Sequence, residues 1–388
     1  MFKKLVSMFL AFSLFSNAIT YAVSQEEIAE MPLDKKIGQM ICLDFKFWTE
    51  DNENKPVTEI NETIRKFIAK YNIGSVLLFS QNFLGGKEKA TKLISDFQEA
   101  AESSNNPPLI IAVDQEGGIV ERFNFDRKKN FKSNAYIESL EEAYQKGEAI
   151  AKELKELGIN CNFAPVADVN SNPQNPVIGE RSFSDKADIV AERCESFLKG
   201  LHSQNIMGTA KHFPGHGDTN TDSHVSLPVI NKTLEQLDEM ELIPFKKLID
   251  AGVDLIMTAH IELPKIEPEI TISEKDKLQI HLPATLSRKI LTNLLRDKLK
   301  FKGVIVTDAM NMKAISNNFG AYNAVKMAII AGADIVCMPV ALRCSDDEKK
   351  LKSLFTYIKK AVEDGQITEE QINKSVERIL KLKEKYKI

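Results

Sequence analysis

Cysteine is scarce in this chain, and the residues present are not arranged as metal ligands. The 388 residues include five cysteines, with no CxxC pair and no zinc-type spacing, which argues against a structural zinc module. Cys42, Cys161 and Cys337 lie in or beside apolar, strand-like runs, where cysteine is usually a small buried hydrophobic residue. We therefore expect all five to be structural, and nothing argues for a Cys194–Cys344 disulfide.

Blocks of positive charge, low-complexity linkers and tandem motifs are also missing. The formal net charge is −4, from 51 Lys and Arg against 55 Asp and Glu, and no large basic block occurs beyond the N-terminus. Nucleic acid is therefore not an expected partner. The 43% hydrophobic content is ample for a core, and the length allows two ordinary domains or one large α/β domain.

The first residues, MFKKLVSMFLAFSLFSNAITYA, have the pattern of a signal peptide. Two lysines precede the apolar run Leu5–Phe15, which is too short to span a bilayer comfortably, and Ala18 and Ala22 offer cleavage positions. The absence of any Cys before Cys42 disfavours a lipid-anchored protein. We expect residues 1–22 to be a cleaved signal peptide and the mature protein to be periplasmic or secreted; an uncleaved anchor is the alternative.

Beyond this leader, eight short apolar runs alternate with amphipathic stretches of helical length. Parallel strands buried on both faces form continuous apolar runs of this kind. Eight strand–helix units in one chain favour a single (β/α)8 barrel over an open doubly wound sheet. The predicted strands are Met40–Phe45, Ser75–Phe79, Leu109–Val113, Ile159–Phe163, Ile206–Ala210, Leu255–Thr258, Val304–Thr307 and Ile335–Met338.

The connecting segments support one α/β barrel domain over residues 23–388. Glu138–Leu157 and Leu234–Ala251 are predicted helices, each followed by a glycine that favours helix termination. About fifty residues follow the eighth strand, too few for a second globular domain. The last of their two helical segments begins at Thr368, in a capping-box pattern with Gln371.

Polar residues collect at the carboxyl ends of the predicted strands, where barrel enzymes carry their active sites. They are Asp44, the run Asp114-Gln115-Glu116, Asp168, Lys211-His212, His260 and Asp308. The densest group follows the fifth strand, in KHFPGHGDTNTDSH from Lys211 to His224. Its glycines and proline indicate a loop, and burying so many ionisable groups without a use is costly. The stretch therefore predicts a functional site.

Within this loop, Asp222 and His224 can form a carboxylate–imidazole pair. Such a pair fixes the ring tautomer and makes His224 a candidate general acid/base near neutral pH. Lys211 and His212 are better suited to hydrogen bonding a ligand. Asp308, alone at the end of the seventh strand, is either a nucleophile or base, or a cap for the next helix; we favour catalysis.

A metal site is a competing interpretation of the same loop. His212, His216, Asp218 and His224 are all possible ligands. However, Lys211 would oppose a bound cation, and the spacing matches no standard zinc pattern. We therefore expect neither a metal nor another cofactor.

Three ordered motifs carry a resemblance to a known family. KHFPGHGDTNTDSH, IAVDQEGG (Ile111–Gly118) and VIVTDAMNM (Val304–Met312) resemble bacterial β-N-acetylhexosaminidases of glycoside hydrolase family 3, of the type that trims cell-wall muropeptides. The resemblance covers nearly the whole chain beyond the leader. It implies Asp308 as the nucleophile, His224 as the acid/base and Asp222 as the residue that orients it. It also implies a sugar-binding set: Asp114, Arg122, Arg181, Lys211 and His212.

The implied reaction is retaining glycoside hydrolysis through a covalent glycosyl-enzyme. Two departures qualify it: Ile119 stands where the family often has Arg, and a muropeptide-trimming enzyme is usually cytoplasmic, whereas this chain has a leader. A histidine acid would not repel phosphate as a carboxylate would, so phosphorolysis is an alternative. A metal-dependent barrel hydrolase and a non-catalytic wall-binding protein are further alternatives. The expected partner is a small carbohydrate or muropeptide, and we expect a monomer.

The leader gives the first testable prediction. We expect the mature protein to begin at Ile19 or Val23, because cleavage follows a small residue after the apolar run. N-terminal sequencing of the protein from its native cell envelope measures this directly. Recovery of an intact Met1 would contradict cleavage.

Overall fold

The polypeptide winds into a barrel whose strands follow one another in chain order. The computed structural model describes residues 24–126, 130–220 and 227–388. The barrel strands, numbered 1 to 8, are Ile41–Asp44, Ser75–Leu78, Ile110–Val113, Cys161–Asn162, Met207–Phe213, Leu255–Thr258, Val304–Val306 and Val336–Cys337. Neighbouring strands are parallel, strand 8 pairs with strand 1, and a bridge between Val306 and Ile335 joins strands 7 and 8. The predicted (β/α)8 barrel is confirmed.

The strands form where they do because every one of their residues is buried. Most of these buried side chains are apolar, as a sheet covered by helices requires. The predicted strand limits differ from the observed ones by up to three residues, and strand 4 is shortened to Cys161–Asn162. Strand 5 instead runs three residues longer than predicted, to Phe213, and so includes Lys211 and His212.

Helices surround the barrel and also precede and follow it. In the described residues the α-helices are Gln25–Glu30, Leu33–Gln39, Glu62–Lys70, Lys87–Glu102, Leu140–Leu157, Ala187–Ser203, Leu234–Asp238, Leu242–Asp250, Lys313–Phe319, Ala321–Ala331, Glu348–Glu363 and Glu369–Tyr386, with a π-helix at Lys289–Lys298. None of the helices in these residues is both long and apolar enough to cross a membrane.

One segment predicted as a single helix is interrupted in the structure. The stretch Leu234–Ala251 forms two helices, Leu234–Asp238 and Leu242–Asp250. Pro244 explains the break, because proline has no amide hydrogen to donate to the preceding turn and is tolerated only in the first turn of a helix. Glycine ends both predicted segments as expected, with positive φ angles of 85° at Gly158 and 78° at Gly252.

Two short hairpins extend from the carboxyl-end face of the barrel. Phe47–Glu50 pairs with Glu53–Pro56 after strand 1, and Ile270–Ile272 pairs with Gln279–His281 after strand 6.

The C-terminal helix Glu369–Tyr386 covers the opposite end. Its N-terminus is the predicted capping box of Thr368 and Gln371. Asp254 and Asp334, which lie one and two residues before strands 6 and 8, are fully buried carboxylates that accept hydrogen bonds from this helix. The donors are Ser375, Arg378, Lys385 and Tyr386.

Candidate active site

The centre of the site is the buried ammonium of Lys211. Its side chain is 2% exposed, and Nζ lies 2.8 Å from Asp114 Oδ1 and 2.7 Å from Glu116 Oε1. Strand 5 positions the lysine, and strand 3 ends directly before Asp114. A buried ammonium is stable only when it is paired and hydrogen-bonded, so these two strands are tied together at their carboxyl ends.

Two arginines extend this charge network outward. Arg122 Nη2 lies 3.1 Å from Asp114 Oδ2. Arg181 donates two hydrogen bonds to Glu116, at 2.9 and 2.8 Å, in the bidentate geometry that makes arginine–carboxylate pairs strong. Burial opposes the charged form of Glu116, but Arg181 and Lys211 outweigh it and hold the pKa of Glu116 well below its usual range.

The network joins four of the five residues predicted to bind sugar, and it adds Glu116 to them. Arg181 reaches it from a turn in the loop after strand 4, Gly179–Arg181. Its guanidinium is committed to Glu116 and to the carbonyl of Val177, 3.1 Å away. Arg181 therefore holds the site together as well as bordering it. The sequence analysis noted Glu116 only as a residue at a strand end. Its place in the DQEGG motif, two residues after Asp114, could have indicated a role in the site.

The fifth predicted residue, His212, is oriented by Asp168. The ring Nδ1 lies 2.7 Å from Asp168 Oδ2, and the same carboxylate accepts hydrogen bonds from the amides of His212 and His216. Because a carboxylate can only accept, Nδ1 carries a hydrogen and Nε2 is left as the ring's other hydrogen-bonding atom. Burial opposes ionisation of Asp168, but His212 and these hydrogen bonds outweigh it and lower the pKa of Asp168.

The loop after strand 5 is fixed by packing against the loop after strand 4. Asn175 Nδ2 donates to the carbonyls of His216 and Gly217, at 2.9 and 3.0 Å. A Cβ on Gly217 would lie 1.6 Å from the carbonyl oxygen of Val169, so only glycine fits there. This contact explains why a glycine-containing loop can hold histidines in place.

His216 is a buried, neutral histidine. Its side chain Nδ1 lies 3.0 Å from the Thr219 hydroxyl. Burial lowers the pKa of His216 to about 4, Asp168 opposes that shift and His212 adds to it. At neutral pH this ring therefore carries no charge and is poorly suited to act as a general acid.

Asp308 follows strand 7 and is partly buried at its carboxyl end. Its Oδ1 accepts a hydrogen bond of 2.7 Å from the amide of Ala309. The next helix begins at Lys313 with Met312 as its N-cap, so the alternative in which Asp308 caps that helix is wrong. The carboxylate instead stabilises the turn at the strand end.

His260, from the end of strand 6, supports this turn. Its Nε2 lies 3.2 Å from the carbonyl oxygen of Ala309, and its Nδ1 lies 2.8 Å from the Thr285 hydroxyl. Since a carbonyl only accepts, Nε2 carries the hydrogen. The histidine noted at this strand end thus restrains the backbone next to Asp308.

Asp222 and His224, the predicted acid/base pair, lie outside the described residues. The chain on either side of them is joined by Lys232, whose Nζ lies 2.9 Å from Asp218 Oδ2 and also pairs with the buried Glu241. Among the described residues no group of three or more His, Cys, Asp or Glu side chains is arranged to bind a metal. Because His224 belongs to the metal alternative, that alternative stays untested.

Comparisons with known proteins show which family this chain belongs to. The family described as "Glycosyl hydrolase family 3 N terminal domain" matches residues 32–382 of this chain. A protein named beta-hexosaminidase A from Pseudoalteromonas piscicida is 37% identical over 374 residues, which are 92% of this chain and 62% of that protein. A beta-hexosaminidase from Nitrosomonas eutropha is 33% identical over 299 residues, which are 75% of this chain and 79% of that protein.

Solved structures give the same result. The glycoside hydrolase family 3 β-N-acetylglucosaminidase from Paenibacillus sp. has a TM-score of 0.80 at 36% identity, over 92% of this chain and 63% of that one. The chain thus spans less than two thirds of the length of the Pseudoalteromonas and Paenibacillus proteins.

The burial of His216 predicts a pH-dependent contribution to stability. An unfolded histidine binds a proton as the pH falls through about 6.5, whereas His216 in the folded protein stays neutral down to about 4. Between these values the unfolded state binds more protons, so stability is lost as the pH falls. The part due to His216 is on the order of 3 kcal/mol.

Urea unfolding of the wild type and of His216→Gln at several pH values between 7 and 4 measures this contribution. We expect the free energy of unfolding to fall less steeply in the variant. An identical fall in the wild type and His216→Gln would contradict the assignment.

Proposed function

Because the chain belongs to glycosyl hydrolase family 3, we propose that it is a retaining exo-β-N-acetylglucosaminidase that removes terminal β-linked N-acetylglucosamine from peptidoglycan fragments. One observation carries the proposal. Asp308 and the charge network around Lys211 project from the same end of one barrel, so a nucleophile and a set of hydroxyl-binding groups face a common space. The names of the similar proteins support the sugar specificity, and the muropeptide substrate rests on the resemblance of the motifs.

The chemistry requires three roles. Asp308 attacks the anomeric carbon and forms a glycosyl ester while the acid/base protonates the leaving oxygen; the same group then activates water, which releases the sugar. We assign the acid/base role to His224, oriented by Asp222. The neutral state of His216 leaves it a weak competitor for this role.

The charge network supplies the binding energy. Asp114 can accept hydrogen bonds from sugar hydroxyls, while Arg122, Lys211 and His212 can donate to them or, for His212, accept. Because these groups are already fixed by one another, little ordering is needed when the sugar binds. No metal or other cofactor takes part in this scheme.

We further propose that the protein acts after export, in the periplasm or outside the cell, as a monomer on small muropeptides. The leader pattern supports export. Phosphorolysis is the second candidate reaction, favoured by a histidine in the role that a carboxylate usually has, since neutral imidazole does not repel a phosphate acceptor.

Asp308→Asn tests the nucleophile and the substrate together. We expect the folded variant to lose nearly all turnover of purified muropeptides, about a thousandfold or more, because an amide cannot form the glycosyl ester. Mass spectrometry of the products, with and without phosphate, measures the release of N-acetylglucosamine or of its 1-phosphate.

Asp276→Asn, an exposed aspartate on the hairpin after strand 6, is the matched control and should retain activity. Turnover by Asp308→Asn near the wild-type rate would contradict the mechanism. Formation of sugar phosphate only when phosphate is present would replace hydrolysis by phosphorolysis.

His224→Ala tests the acid/base assignment through the leaving group. A p-nitrophenolate departs with little protonation, whereas a sugar alkoxide requires an acid. We therefore expect the variant to lose much more activity on a disaccharide than in the first step on an aryl glycoside, with a loss of about a hundredfold or more on the disaccharide. On the aryl substrate it should release a burst of nitrophenol and then stall, since the second step still needs a base.

Asp222→Asn should show the same pattern more mildly, because the imidazole remains and only its orientation and basicity change. His281→Ala, which removes a histidine from the hairpin after strand 6, is the control. Equal losses on both substrates in His224→Ala, without a burst, would show that this histidine is structural.

A further inference from the structure

The residues considered so far come from the carboxyl ends of strands 3 to 7 and the loops after them, and the sector of the barrel mouth from strand 8 to strand 3 holds a second group of charges. Arg343 lies in the loop after strand 8. Asp44 is the last residue of strand 1, and Lys46 follows it by two residues. Phe79 follows strand 2, and Arg122 belongs to the loop after strand 3. We call these five residues the strand 1 sector.

Lys46 is the member of this sector whose ammonium is available to a ligand. Its Nζ lies 3.4 Å from the centroid of the Phe79 ring, a cation–π contact that orients the side chain. Within the part of the chain that the structure describes, no oxygen lies within hydrogen-bond or ion-pair distance of this Nζ. An ammonium has three donors, so Lys46 keeps them for solvent or a ligand.

The other cations of the sector are already paired. Arg343 Nη2 lies 2.9 Å from Asp44 Oδ2, and Arg122 pairs with Asp114. Asp44 is fully buried, and among the described residues its second oxygen has no hydrogen-bond partner, so it acts on Lys46 through charge. Burial lowers the pKa of the Lys46 ammonium, Asp44 opposes that shift, and Arg343 and Arg122 add to it.

The backbone of Lys46 is held on both sides, which fixes where the ammonium can reach. Asn82, a buried residue after strand 2, donates to the carbonyls of Phe45 and Val57, both at 2.9 Å. The amide of Val57 in turn donates to the carbonyl of Lys46, at 3.1 Å. A lysine fixed in this way loses less conformational entropy when it binds.

Arg122 links this sector to the sugar-binding network. Its guanidinium carbon lies 5.3 Å from the Phe79 ring centroid, and its Nη2 contacts Asp114. Lys46 and Arg122 therefore both contact the Phe79 ring. The Lys46 ammonium thus lies close to Arg122, a member of the predicted sugar-binding set.

We infer that Lys46 is a further sugar-binding residue, whose ammonium donates a hydrogen bond to a hydroxyl oxygen of the terminal N-acetylglucosamine. Phe79 positions the ammonium, and Asp44 maintains its charge. The inference rests on the proposed function, because it names a contact to the sugar that the enzyme releases. The sequence analysis assigned no role to Lys46, since a lysine two residues beyond a strand end is common on any surface.

Lys46→Met tests the inference on p-nitrophenyl N-acetylglucosaminide and on its analogues that lack the 3-, 4- or 6-hydroxyl. With the parent substrate we expect kcat/KM to fall at least about tenfold, mainly through KM, as for the loss of a hydrogen bond from a charged donor. With the analogue that lacks the bonded hydroxyl, the same substitution should change kcat/KM by less than about twofold, because both partners are then absent. Lys46→Arg should retain more activity than Lys46→Met.

Lys55→Met is the matched control, because Lys55 lies on the hairpin after strand 1 and its side chain is exposed. It should behave as the wild type. A loss by the same factor on the parent and all three analogues would show that Lys46 is structural, and no loss at all would also overturn the inference. Absence of wild-type turnover on the parent substrate would instead count against the proposed function itself.

Discussion

The burial of one ammonium group, that of Lys211, is the constraint on which the rest of the site depends. A lysine that is 2% exposed needs opposite charge on more than one side. Asp114 and Glu116 provide it, yet two carboxylates this close to one cation repel each other. Arg122 and Arg181 compensate from the outside, so the network alternates in sign from one edge to the other. Each member is held by its neighbours, and strands 3 and 5 and the loop after strand 4 are thereby locked together at the carboxyl end of the barrel.

The two ends of the barrel use buried carboxylates differently. At the end covered by the C-terminal helix, Asp254 and Asp334 are surrounded by donors from that helix and from neighbouring backbone amides. All of that bonding stabilises the fold. At the other end Asp308 accepts a hydrogen bond from the backbone amide of Ala309, and Lys46 lies over the Phe79 ring. Among the described residues, the ammonium of Lys46 keeps its hydrogen-bond donors available on the face where the loops after the strands converge, which is where a barrel binds its ligands.

Much of the architecture could be predicted from apolar runs, because parallel strands buried on both faces leave a clear pattern in the sequence. The limits of individual strands and helices were less predictable. Strand 4 is reduced to Cys161–Asn162, and the helix predicted over Leu234–Ala251 divides before Pro244. The proline was visible, but whether it would break a helix or open a new one depends on tertiary packing. The hydrogen-bond and ion-pair partners of the site residues were least predictable. The structure pairs Arg181 with Glu116 and His212 with Asp168, residues 65 and 44 positions apart, and no local pattern encodes such pairs.

The sequence by itself determined the class of fold, the strand ends at which polar residues collect, and the family, because these depend on periodicity and on short ordered motifs. Those properties depend on residues close together in the chain, so they can be recognised in the sequence alone. Only the tertiary structure decided that Asp308 does not cap the next helix, that His216 is neutral, and that Lys46 stands over Phe79 beside Arg122. Each of these depends on burial or on distances between residues far apart in the chain. The pKa of a histidine and the reach of a lysine are set by what surrounds them, and that surrounding exists only once the barrel has closed.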